Sequence, residues 1–174
     1  MLKKLSVVLL AVTSVFIFSK TVFAQTVELT PEKQLVIVQT CVAAQTTLQK
    51  IQHNDAATRV NRGQTYETIA NRLMTPLNIR ATSNEYNNSA PLLISTTSKY
   101  QQALDDFKKD YENYDDSVSL ALKTKCKNKP AVFYGYIEQA RIQRQKVANN
   151  VANLTALINE YRNNVQKLKD EVEQ

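Results

Sequence analysis

The chain has 174 residues, with 22 Lys plus Arg against 16 Asp plus Glu, one His, two Cys, two Gly and no Trp. Two glycines, where about 7% of residues is usual, exclude glycine-rich phosphate loops, dinucleotide-binding turns and folds built on many tight turns. The single His excludes a multi-histidine metal site, and 43% hydrophobic with 22% charged residues excludes wholesale disorder.

The first element is a three-part export pattern. Lys3 and Lys4 give a positive start, Leu5 to Phe18 is an apolar run, and Val22-Phe23-Ala24 offers the small or tolerated residues read by a signal peptidase. The run is short for a membrane span, and the expected mature chain begins at Gln25. Lys20, inside the cleavage region, keeps an uncleaved N-terminal anchor as the alternative. Cleavage removes three lysines and no acid, taking the net charge from +6 to +3. The basic balance is therefore partly a property of the leader, and it does not point to nucleic acid.

Thr30-Pro31 reads as an N-cap followed by a first-turn proline, opening a helix over about 31–75. Its heptad seam runs Ile37, Cys41, Ala44, Leu48, Ile51, Asp55, Thr58, Arg62, Tyr66, Ile69 and Leu73. The centre of that seam is polar, and two four-residue steps run together if Leu77 is included, a stutter that locally relaxes supercoiling. Pro76 is expected to kink or end the helix. Leu77 to Ala90, rich in Asn, Ser and Thr, is expected to form a turn region at the tip of a hairpin. A second helix, about 91–124, carries a seam of Leu93, Thr97, Tyr100, Leu104, Phe107, Tyr111, Tyr114, Val118 and Ala121, with only Thr97 polar. A lysine-rich loop follows: Lys123, Lys125, Lys127 and Lys129 surround Cys126. A third helix, about 130–174, opens with Pro130 and repeats Phe133, Ile137, Ala140, Arg144, Val147, Val151, Leu154, Ile158, Tyr161, Val165, Leu168 and Val172 in alternating steps of four and three. No strand is indicated.

Three amphipathic stretches of this length predict an all-α chain: an elongated antiparallel three-helix bundle with coiled-coil seams, preceded by a signal peptide, in which residues 25–174 form one domain. The runner-up is a dimer through one long exposed seam. Export to an oxidising compartment makes a Cys41–Cys126 disulfide the expected staple at the base of the hairpin. Facing cysteines put the hairpin centre between Ser83 and Asn84, and the same register sets Pro76 opposite Pro91.

Within that register Asp55 and Arg144 come level with Tyr111 and Tyr114. They are expected to form a buried polar layer, since a charge buried there needs a partner. The four lysines make a basic pole, which faces the membrane if the leader is retained and can then meet anionic lipid. They would also lower the pKa of a free Cys126 thiol. Arg80 and Tyr86 are the candidate partner contacts at the tip, because Tyr and Arg are favoured interface anchors. His53 is a lone surface histidine. Asp105-Asp106 and Asp115-Asp116 are adjacent in sequence, so the members of each pair point to different helix faces. Asn87-Asn88-Ser89 and Asn153-Leu154-Thr155 fit the glycosylation pattern, which matters only in a eukaryotic secretory route. No residue set forms an acid/base, nucleophile, cofactor or metal constellation. The expectation is a non-enzymatic exported bundle acting in the cell envelope or extracellular space through protein contacts. The alternative is an envelope chaperone, which needs exposed apolar surface that continuous seams would bury.

Overall fold

The computed structural model describes residues 28–173, and the N-terminal export pattern with its expected junction after Ala24 lies outside them. The described chain is all-helical, with three long helical stretches packed together. Its elements are α1 (Pro31–Thr68), a π-helical segment (Ile69–Met74), α2 (Thr75–Ser83), α3 (Ala90–Lys123) and α4 (Pro130–Val172).

Proline begins three of these helices as the sequence suggests. Thr30 caps α1, its hydroxyl accepting from the Lys33 N–H at 3.4 Å, with Pro31 in the first turn. Pro91 and Pro130 occupy the first turns of α3 and α4. α4 has 43 residues, which at ~1.5 Å per residue makes a rod of roughly 65 Å. It runs antiparallel to α3, with Asn150 meeting Asp110 near the middle and Glu171 meeting Ser89 at the tip.

α3 is the central element. It buries Leu93, Tyr100, Leu104, Phe107, Tyr111, Tyr114 and Val118. α4 is its closest partner, so Leu157 and Asn164, which the heptad leaves off the seam, are buried, and Val172 is exposed. α1 buries only Cys41 and Tyr66. Its polar centre does not enter the bundle: Thr58 and Arg62 are exposed and Asp55 is half-buried. Cys41 and Cys126 lie in disulfide geometry, 85 residues apart in sequence with Cα atoms 5.7 Å apart. Gln45 closes the same pole, donating to the Leu122 and Thr124 carbonyls at the end of α3.

The tip departs from expectation. Pro76 neither ends the helix nor leaves it in ordinary α geometry. Lacking an N–H, and with a ring that clashes with the carbonyl four residues back, it is accommodated by the wider turn before it. There the Thr75 N–H bonds the Ala70 carbonyl, five residues back. Helix then continues to Ser83, and the connection shrinks to residues 84–89. Gln52 still meets Asp115 in the register the cysteines set, but Asn78 meets Thr97, where that register would place Ser89. Pro76 therefore does not face Pro91.

Candidate functional site

The wider turn changes which side chains face inward. On the seam Tyr66 should be followed by Ile69 and Leu73. Instead Tyr66, Ala70, Met74 and Asn78 are buried, four residues apart each time, and Leu73 is 61% exposed. Ile69, Leu73 and Leu77 line one wall of a groove of about 440 Å³, with Ile158 and Val165 of α4 opposite. Arg72, Arg80 and Arg162 also border it. Among the described residues no carboxylate lies within ion-pair distance of these three arginines.

Under the groove lies a buried polar cluster that the heptad reading missed. The Tyr161 hydroxyl donates toward Asn78 Oδ1 at 2.8 Å and the Met74 carbonyl at 3.1 Å, and Asn78 Nδ2 donates to Thr97 Oγ1 at 2.8 Å. Beside it Asn164 donates to Thr96, and Thr96 to Glu160. Thr97 was the one visible signal, the sole polar residue of the second seam; Asn78 and Asn164 lie off the seams.

The two tip candidates part company. Arg80 is exposed on the groove. Tyr86 is half-buried against the main core and has a structural task. Glu85 adopts a left-handed conformation (φ 57°), Tyr86 N–H bonds the Ala81 carbonyl, and Glu85 N–H bonds the Thr82 carbonyl. This is a Schellman helix end, in which Tyr86 is the residue expected to pack back on the last turn. Glu171 of α4 then accepts from the Ser89 N–H at 3.0 Å and from the Asn88 N–H at 3.3 Å. Its hydrogen bonding to Ser89 first, and to Asn88 after, holds its carboxyl below the usual range.

Midway along the bundle, Asp55 does meet Arg144, but not in a buried layer. Asp55 Oδ1 and Arg144 Nη2 are 3.7 Å apart, with the arginine side chain 62% exposed and the aspartate 23%. Asp55 stays half-buried because α1 lies loosely on the other two helices, and Arg144 reaches it from outside. Tyr114, not Tyr111, donates to the carboxylate, at 2.6 Å. Burial, then the bond to Asp55, raises the Tyr114 pKa. Tyr111 is 5% exposed, and its hydroxyl has no hydrogen-bond partner among the described residues. Arg59 lies over its ring, 4.9 Å from the centroid. Burial, with the charge of Asp55 second, pushes Tyr111 up to about 12.

At the base Cys126 is fully buried and joined to Cys41, so the exposed Lys123, Lys125, Lys127 and Lys129 have no thiol to activate. His53, Asp105, Asp106 and Asp116 are exposed, and Asp115 accepts from Gln52 at 3.0 Å. Among the described residues no group of His, Cys, Asp and Glu could hold a metal ion, and no helix is long and apolar enough to cross a membrane.

Set beside family models, curated proteins and solved structures, the chain finds no match in any of the three comparisons.

Proposed function

We propose that the chain is an exported, non-enzymatic helical bundle that acts in the cell envelope or extracellular space by binding another protein in the groove between the π-helical segment, α2 and α4. One observation carries the reading: an open apolar groove bordered by three arginines that have no carboxylate partner among the described residues. An amphipathic helix with acidic flanks complements that surface in shape and charge. Export is supported by the leader pattern and is compatible with the intramolecular disulfide. Arg80 remains a contact in this reading and Tyr86 does not.

The chaperone alternative gains from α1, where Leu35, Val36, Val42 and Val60 are all more than half exposed. Loosely covered apolar surface of this kind suits transient capture of unfolded chains.

A photocrosslinking residue at Leu73, compared with one at the exposed Ile142, tests the groove in exporting cells. Discrete adducts from Leu73 alone, mapping to an acidic amphipathic segment and lost on Arg80→Glu, are expected. Equal adducts from both positions would remove the groove from consideration. Suppression of client aggregation by the pure protein, lost on Val42→Ser, would favour the chaperone instead. Mass spectrometry of the exported pool should find a Gln25 start; a Met1 start would favour the anchored form.

A further inference from the structure

The basic pole lies at the opposite end of the bundle from the arginine-bordered groove and takes no part in that reading. Residues 124–129 join α3 to α4 through a tight turn, in which the Asn128 and Lys129 N–H groups both bond the Lys125 carbonyl at 2.9 Å. Cys126, fully buried and bridged to Cys41, pins this turn to α1. Lys123, Lys125, Lys127 and Lys129 are therefore carried on a fixed loop, and all four are exposed. Among the described residues none of them has a carboxylate within ion-pair distance.

Apolar side chains stand beside these charges without cover. Leu35 is 57% and Val42 63% exposed, with Val38 half-buried between them. Steps of three and four residues put all three on one face of α1. Gln45, three residues past Val42 on the same side, donates to the Leu122 and Thr124 carbonyls. The stripe is thereby set against the end of α3 that carries Lys123 and Lys125. Glu32, the acid of the first turn of α1, stands about a quarter turn away from it, at about 100° per residue.

Like charges crowded without an acid repel one another, so nothing in the fold itself accounts for this loop. Its chemistry selects the partner. The groove is bordered by arginines, whose planar fork suits a carboxylate fixed in place, whereas every charge on this loop is a lysine. An ammonium on a flexible stem is a point charge that can follow mobile head groups while its stem lies along apolar surface. Exposed aliphatic side chains on a helix beside lysines suit the boundary between head groups and acyl chains of a bilayer. A free inorganic anion would leave the stripe uncovered, and neutral lipid would leave the lysines uncompensated.

We propose that this pole docks on a membrane surface carrying anionic lipid, with the four lysines among the head groups and Leu35 and Val42 at the boundary with the acyl chains. Docking there leaves the groove roughly 45 Å away along the chain's first helical stretch, at ~1.5 Å per residue, clear of the lipid and open to a partner. The proposal does not rest on what the groove binds.

The experiment sediments the exported protein with vesicles of phosphatidylcholine, alone or mixed with phosphatidylglycerol. A retained leader would add to binding of both, so the readout is the difference between them. Tighter binding to the mixed vesicles, removed by high salt, is expected. A lysine near such a surface is worth about fivefold in affinity, so Lys125→Gln with Lys127→Gln should weaken binding by about 25-fold. Lys109→Gln with Lys146→Gln removes the same charge from exposed positions on the bodies of α3 and α4, and should change binding by less than about twofold. Val42→Ser, also at an exposed position, should weaken it by about threefold. An unchanged Tm shows that each variant is folded. Equal binding to both vesicles would overturn the proposal, as would equal losses from the two lysine pairs or no loss from Val42→Ser. Displacement by inorganic phosphate beyond that by chloride at equal ionic strength would overturn it in favour of a simple anion site. Discrete protein adducts from a photocrosslinking residue at Lys127 in exporting cells would overturn it in favour of an acidic protein.

Discussion

Replacing Tyr161 with Phe removes one oxygen atom and leaves the ring in place. That oxygen is the link between α4 and the far side of the π-helical segment, donating toward Asn78 Oδ1 at 2.8 Å and the Met74 carbonyl at 3.1 Å. The carbonyl keeps a second lone pair and its place in the helix, so its loss is small. Asn78 is different: at 8% exposure its Oδ1 has little access to water, while Nδ2 remains tied to Thr97. Losing the bond costs about 1 kcal/mol, and leaving Oδ1 without its donor about 1 kcal/mol more. The expected destabilisation is about 2 kcal/mol, a fall in Tm of roughly 4–8 °C for a chain of this size. Urea and thermal unfolding followed by helical circular dichroism measure it, and an unchanged m-value shows that the denatured state is unaltered. Because the two side chains act through one bond, Asn78→Ala and Tyr161→Phe should be non-additive, with a coupling of about 1 kcal/mol. A single change within about 0.5 kcal/mol of the parent, or two additive changes, would refute the claim that this hydroxyl holds the widened turn against α4.

Cys41→Ser should destabilise by about 2–5 kcal/mol, since the bridge closes a long loop, and a reductant should lower the Tm of the parent chain and not of the variant. Glu85→Gly should stabilise by about 0.5–1 kcal/mol by relieving a left-handed backbone at a side-chain-bearing residue, whereas Tyr86→Ala should destabilise and Arg80→Ala should do neither, all read by urea unfolding. In alkali, the pKa values of Tyr111 and Tyr161 are raised mainly by burial to about 12 against 10 for the free side chain. Their contribution to stability is then complete below pH 10 and is lost as pH rises toward 12; ultraviolet titration should show phenolate formation coinciding with unfolding there.

The long-range plan of the fold was legible because it rests on signals that tertiary contacts seldom override. Prolines at the helix starts, the alternating steps of α3 and α4, and two cysteines in a chain with an export pattern led to three packed helices and the Cys41–Cys126 pairing. What escaped was the phase of each side chain. A heptad template assigns Ile69 and Leu73 to the interior, and only the five-residue hydrogen bond from Thr75 to Ala70 substitutes Ala70 and Met74 for them. The tip was read as one loop because Asn, Ser and Thr are common in loops, yet Asn78 and Thr82 are helical, their polar groups satisfied by Thr97, Tyr161 and the helix backbone. Asp55 and Arg144 lie 3.7 Å apart, but periodicity alone does not reveal that α1 lies loosely enough to leave their pair near solvent.

The π-helical segment gives the molecule a one-residue phase offset between its two halves. In an ordinary helix each residue advances about 100° around the axis, so one residue more or fewer decides which side of the chain beyond Thr75 faces α3. Were Ile69 to Met74 wound as ordinary α-helix instead, everything up to Ser83 would turn by about that angle. Asn78 would leave Thr97 and Tyr161, and Leu77 would swing away from α4. Deleting a single residue from the segment would do the opposite: the helix could close into regular geometry with Tyr66 and Asn78 still on one face, because the wider turn already takes up one residue's rotation. The groove therefore depends on how the chain is wound as much as on the chemistry of the residues that line it.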